Sequence, residues 1–172
     1  MTILSKDVAL IELERLRNAL VPNGGCLLCV LCSGAASPKP LAETDRAVVL
    51  IDRFARRPGH LLVVTRAHLE GVLEIDWQTH LDVQRLVYQA RRALWRSLSP
   101  VQVYACTFGA TASIPMSFAH HHVHVIPVFE RDERARPARV LSWSEGVVVY
   151  DDVEAESLRR TILAAWTESP ER

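Results

Sequence analysis

Residues 119–127 read Ala-His-His-His-Val-His-Val-Ile-Pro, and imidazoles alternating with branched apolar residues suit a β-strand best. Successive strand side chains point to opposite faces, so His120, His122 and His124 line one face while His121, Val123 and Val125 line the other. A surface strand with incidental histidines would not carry Val123, Val125 and Ile126, so the segment needs a covered sheet behind it. Imidazole titrates near neutrality and serves as nucleophile, proton carrier, phosphate donor or metal ligand. Three of them on one face make a candidate site.

Everything else in the chain has to supply that sheet and its cover. With 172 residues the chain suits one domain, and a globule of this size buries roughly 70% of its unfolded surface. The 20 basic and 20 acidic residues cancel, which argues against a protein gripping bulk nucleic acid through a broad positive field. No apolar run reaches the ~18 residues of a membrane span, and the first residues lack a signal peptide's apolar core, so a cytoplasmic protein is expected. In that reducing compartment the clustered Cys26, Cys29 and Cys32 suit metal binding or redox chemistry better than disulfides, and Cys106 reads as a buried core thiol.

Residues 5–20 read as a helix, capped by Ser5 or Asp7, with Val8, Ile11, Leu13, Leu16 and Leu20 as a rough apolar face. Pro22-Asn23-Gly24-Gly25 stops it, and residues 33–40 after the cysteines read as loop. Residues 47–51 and 60–64 are short β-branched runs separated by a polar turn over 52–59, which predicts an antiparallel pair. Residues 77–98 form the longest predicted helix, with Asp76 as N-cap and Val83, Val87, Ala90, Leu94 and Leu98 along one side. Pro100 ends it, and residues 101–106 read as a strand that pairs antiparallel with the histidine strand. The charged stretch 130–139 reads as a solvated loop, residues 147–150 as a last strand, and Asp151 or Asp152 as the cap of a helix carrying Leu158, Ile162 and Trp166. Several mostly antiparallel strands around one long helix, with helices at both ends, predict an α+β domain.

The segment His120-His121-His122-Val123-His124-Val125-Ile126 resembles the signature of the histidine triad (HIT) family. Upstream segments resemble the family in the same order: Cys26-Leu27-Leu28-Cys29, Val48-Val49-Leu50-Ile51-Asp52, and residues 58–68 closing at His68. The resemblance covers residues 26–129 and implies a HIT-like fold, with a helical extension over 1–25 and a C-terminal tail of strand and helix over 130–172 packed on the domain.

It also implies a chemistry. His122 would attack the α-phosphorus of a nucleotide phosphoanhydride or phosphoramidate, forming a nucleotidyl-histidine that water or another acceptor resolves. Attack needs a neutral His122 whose second nitrogen donates to a backbone carbonyl. His124 would donate to a phosphate oxygen, Ser117 would hold the phosphate and protonate the leaving group, and Asp52 would accept from the ribose hydroxyls or, alternatively, cap its loop. The zinc-binding branch of the family implies Cys26, Cys29, His68 and His120 as a tetrahedral S₂N₂ set for a structural zinc, the alternatives being an empty site or a redox-active Cys29–Cys32 pair. The family's habitual association through the long helix and an adjoining strand implies a homodimer.

Departures from the pattern are local. Pro115-Met116 stands where the family usually carries Gly-Gln before the serine, and proline removes an amide donor from the phosphate loop. His121 replaces an apolar residue and points away from the site face, where it reads as a satisfied or partly exposed histidine. The sequence therefore predicts a nucleotide hydrolase or nucleotidyl transferase. The alternatives are a nucleotide-binding module with weak chemistry and a structural zinc protein.

Overall fold

Branched runs separated by turns pair into one sheet, and the computed structural model describes residues 1–34, 39–108 and 118–167 of it and its surroundings. The strands β2 (Ala42–Glu43), β3 (Ala47–Ile51), β5 (Leu61–Thr65), β6 (Gln102–Cys106) and β7 (His122–Val128) form a five-stranded antiparallel sheet in the order β2-β3-β5-β7-β6. β7 thus lies inside the sheet, with Leu62 opposite His124 and Val64 opposite His122 on β5, and Cys106 opposite His124 on β6. Pro127, which cannot donate to a ladder, sits beyond the Leu61–Val125 pair that ends the β5–β7 pairing, so it faces no β5 partner.

One face of the sheet packs on the helix α3 (Trp77–Leu98). Its buried side, Val83, Leu86, Val87, Ala90, Ala93 and Leu94, meets Val49, Leu61, Val63, Val123 and Val125 in the main core. Asp76 caps it: Oδ1 accepts from the Thr79 amide at 2.9 Å and Oδ2 from the Thr79 hydroxyl at 2.6 Å, worth about 1 kcal/mol. Ser99 in the left-handed region, φ 49°, and then Pro100 terminate it. The helix α5 (Asp152–Ala164), closed by an Asp151–Glu154 capping box, adds Ala155 and Ile162 to the same core, and Trp166 packs there just past the helix end.

The opposite face carries His122 and His124 and is covered differently. The short helix α2 (Leu27–Cys32) lays Leu28 and Cys32 on Val48, Leu50, Leu62 and Val64. The β-strand β1 (Thr2–Leu4) and helix α1 (Lys6–Leu20) approach from the N-terminus, while α4 (Pro137–Leu141) and β8 (Val147–Val149) come from the C-terminal segment. β1, β8 and β4 (Phe54–Ala55) form a second small sheet in the order β1-β8-β4.

Three local expectations change. Residues 52–59 are more than a polar turn, because the apolar Phe54-Ala55 pair is buried as β4 against Val148 and Val149. Residues 130–139 are more than a solvated loop. Glu130 Oε1 sits 2.8 Å from Nε of the buried Arg57, the Ala135 carbonyl accepts from the Tyr104 hydroxyl, and a 3₁₀ turn (Glu133–Ala135) leads into α4. A buried guanidinium needs a carboxylate, and Glu130 is drawn inward to supply it. Cys106, on the edge strand β6, is only half-buried instead of lying in the core.

Candidate functional site

The site is assembled where β7 passes under α2 and beside the β3–β5 connection. Its nucleophile candidate is set by one hydrogen bond. A carbonyl only accepts, so His122 Nδ1 carries the proton and donates to the His120 carbonyl at 2.7 Å, leaving the lone pair on Nε2. Burial pushes the His122 pKa below the ordinary histidine value, against the pull of that hydrogen bond, so the ring is neutral at neutral pH. His124 lies beside it, ring centroids 4.8 Å apart and nearly perpendicular, with Phe118 edge-on to His122 at 6.2 Å.

Behind these two rings runs a chain of hydrogen bonds. Asp52 Oδ1 accepts from the Phe54 amide at 2.9 Å, the loop-capping contact, and Oδ2 accepts from His60 Nδ1 at 3.0 Å. His60 Nε2 lies 3.1 Å from His124 Nδ1, within hydrogen-bonding distance. Burial alone would raise the Asp52 carboxyl, but His60, Arg56 and the Phe54 amide together hold it below the usual carboxylate range. Burial pushes His60 and His124 down, and in His124 the Arg56 guanidinium, Nη1 3.4 Å from Nδ1, adds to the effect. A fixed carboxylate therefore orients two neutral imidazoles in series.

A cavity of about 70 Å³ opens onto this group. Asp52, Arg56, His122 and His124 form its polar end, and Leu13 and Leu16 of α1, Leu28 and Leu31 of α2, Phe54 and Trp143 form its apolar end. An apolar slot ending in convergent polar groups is the form of a small-molecule site.

A second cluster lies at the start of β7. Cys26 Sγ is 3.2 Å and Cys29 Sγ 3.4 Å from His120 Nδ1, and Cys29 Sγ is 3.4 Å from His68 Nδ1. One donor atom from each of the four residues falls within 4.8 Å of the others. Bonds of zinc to sulfur and nitrogen at tetrahedral angles imply donor separations of about 3.3–3.8 Å, so the set closes on an ion with little movement. The tautomer agrees: the wholly buried His120 donates from Nε2 to the Thr65 carbonyl at 2.7 Å, which turns its Nδ1 lone pair toward the sulfurs. Burial would raise the Cys26 thiol, but the adjoining His120 ring and the hydrogen bond from the Cys29 amide bring it down to about 7, while burial and Cys26 push Cys29 up to about 11. The cluster is compatible with zinc. Cys32 stands apart, buried beside Leu28 with Sγ turned to the Thr65 carbonyl and its pKa pushed up to about 12, a poor redox partner for Cys29.

The structure therefore brings Asp52, His122 and His124 to one cavity, and Cys26, Cys29, His68 and His120 to one metal-sized cluster. Ser117 and the Pro115-Met116 departure lie outside the described residues. His121 faces away from the site and is 7% exposed, its Nδ1 buried without a partner among the described residues. His60 and Arg56 belong to the site although the motif pattern alone does not single them out. For His60 a signal existed: the Ile51–Leu61 pairing continues so that the Asp52 amide donates to the His60 carbonyl at 3.0 Å, which places those two side chains together. Arg56, in mid-connection, carries no such signal.

The comparisons with known proteins agree with this geometry. The HIT domain family model matches residues 36–131. An uncharacterised 16.1 kDa HIT-like protein of Mycoplasma pneumoniae is 27% identical over 109 residues, covering 63% of this chain and 74% of that protein. A zinc-bound histidine triad family protein from Mycobacterium smegmatis superposes with a TM-score of 0.63 at 22% identity, over 81% of this chain and 94% of that one. The diadenosine triphosphate hydrolase of Plasmodium falciparum superposes with a TM-score of 0.58 at 14% identity, over 73% and 74% respectively. Likenesses of this degree establish the fold.

Proposed function

This chain belongs to the HIT family, and on that premise we propose that it is a nucleotide hydrolase or nucleotidyl transferase working at the α-phosphorus of a phosphoanhydride or phosphoramidate. The observation that carries the reading is the single hydrogen bond from His122 Nδ1 to the His120 carbonyl, which leaves Nε2 of a neutral ring as the nucleophile in a cavity. The Nε2–P bond forms as the bond from phosphorus to the leaving group breaks, and the leaving group takes a proton, for which Ser117 is the candidate donor. In the second step water or another acceptor attacks phosphorus and gives its proton back to Ser117, the P–N bond breaks, and its electron pair returns to Nε2.

Asp52, ionised at the polar end of the cavity, is the acceptor for ribose hydroxyls, and His124 is the imidazole beside the phosphate. A structural zinc held by Cys26, Cys29, His68 and His120 ties α2 to the start of β7 and leaves His122 uncoordinated. The zinc-bound mycobacterial relative and the hydrolase from Plasmodium support these two assignments by analogy. A reducing cytoplasm keeps the two thiols available, and among the described residues no helix is long and apolar enough to cross a membrane.

We also assign a homodimer. Trp77, Leu81, Tyr88 and Trp95 form an exposed stripe along α3, next to the edge strand β6. The catalytic assignment is tested by mixing the protein with dinucleoside polyphosphates, nucleotide sugars and nucleoside phosphoramidates and weighing it intact. A nucleotidyl mass increment is expected on the unmodified protein and none on His122→Ala. Adduct at the original level on that variant would defeat the assignment, and binding without adduct or turnover would favour the binding-module reading that Pro115-Met116 suggests.

A further inference from the structure

Three arginines crowd the connection around β4, and two are neutralised. Arg53 Nη1 pairs with Asp152 at 3.0 Å and Arg57 Nε with Glu130 at 2.8 Å. Arg56 is the third, and among the described residues it has no carboxylate within salt-bridge distance. Its Nε donates to the Leu141 carbonyl at 3.0 Å, Nη1 lies 3.4 Å from His124 Nδ1, and its four Nη hydrogens meet no oxygen acceptor among the described residues. Both oxygens of nearby Asp52 are already engaged by the Phe54 amide and His60. Burial depresses the Arg56 pKa against the opposing pull of Asp52 and Cys106, which marks a cation short of negative partners.

This guanidinium lines the cavity together with His122 and His124. The Leu141 bond anchors one edge, so the two Nη groups are presented as a fixed fork, the geometry that receives two oxygens of one phosphate. The anchor lies ten residues beyond the end of the matched HIT domain at residue 131, so the C-terminal segment of this chain aims the charge.

We infer that Arg56 is a phosphate-binding residue, its fork closing on the phosphate oxygens of a nucleotide lying against His122 and His124. The inference rests on the nucleotide reading of the site, and fixed positive charge beside the reacting phosphorus also stabilises the charge that develops there. A nucleoside without phosphate would leave Arg56 unengaged.

The test is calorimetric titration of the full chain and of Arg56→Gln and Arg56→Lys with nucleoside 5′-monophosphates and the matching nucleosides, alongside inorganic phosphate followed by ³¹P NMR. Expected is a loss of about ten- to a hundredfold in monophosphate affinity for Arg56→Gln, with nucleoside affinity unchanged and partial recovery in Arg56→Lys. Equal losses for monophosphate and nucleoside would reduce Arg56 to a tether for Leu141 and overturn the inference, as would unchanged monophosphate affinity. Should Arg56→Gln fail to fold, Arg56→Lys decides: it keeps the charge but loses the fork, so monophosphate binding equal to the original overturns the inference. Inorganic phosphate bound through Arg56 by a protein indifferent to nucleosides and nucleotides would sustain the anion site and sink the nucleotide reading. Monophosphate binding insensitive to both variants would do the reverse, and no binding of any phosphate would sink both.

Discussion

Tyr150→Phe removes one oxygen and tests whether the C-terminal segment holds the β3–β5 connection in place. Tyr150 is 5% exposed, and its hydroxyl accepts from the amide of Gly59, itself buried, at 3.0 Å. Gly59 sits at φ +88°, where a side chain is strained, and a Cβ there would collide with Leu98 Cδ1 and lie 3.2 Å from Pro127 Cγ. The turn therefore has no freedom to find another acceptor. Loss of the hydroxyl leaves a buried N–H unpaired, which costs about 1–3 kcal/mol, whereas an exposed hydroxyl would cost almost nothing. Urea denaturation should show the midpoint falling with the slope unchanged. Because the next residue is His60, the rate of nucleotidyl adduct formation should fall as well, through misalignment of the Asp52–His60–His124 chain. A stability change within about 0.5 kcal/mol, the range of inert surface substitutions, would show that the Gly59 amide does not depend on Tyr150.

Acid should destabilise the protein from neutrality downward. His60 and His124 are buried with lowered pKa values, so the unfolded chain binds more protons than the folded one below about pH 6.5, and stability falls by up to ~1.4 kcal/mol per pH unit for each. Urea midpoints between neutral and mildly acidic pH should decline, less steeply in His124→Gln; a flat profile in the parent protein contradicts their burial as neutral rings. Cys26→Ser should lower both bound zinc, measured by elemental analysis, and stability, since a structural site contributes on the order of 10 kcal/mol of apparent binding free energy; a full equivalent retained would remove Cys26 from the ligand set. Trp95→Glu places a charge in the exposed α3 stripe and should convert a dimer to monomer in sedimentation, whereas an unchanged dimer moves the interface elsewhere.

Period and punctuation carried much of the fold into view. Asp76 and Pro100 bracket α3 as their capping and breaking chemistry requires, and alternation in residues 122–128 orients Val123 and Val125 to the core and His122 and His124 to the cavity. Short buried pieces were hidden: β4 has two residues and α2 six, too few for either period to register. The half-burial of Cys106 was equally invisible, because a strand's own residues do not say whether it lies at the edge.

The triad motif and the Cys-x-x-Cys spacing were legible because each lies within a few residues along the chain, where backbone geometry alone relates the side chains. Tertiary structure decided what surrounds them. His60 reaches His124 across a sheet register, Arg56 is aimed by a carbonyl 85 positions away, and Leu13 and Trp143 come from opposite ends of the chain to line one cavity. Those relations depend on which surfaces bury one another, a property of the whole packed core that no local stretch of residues encodes.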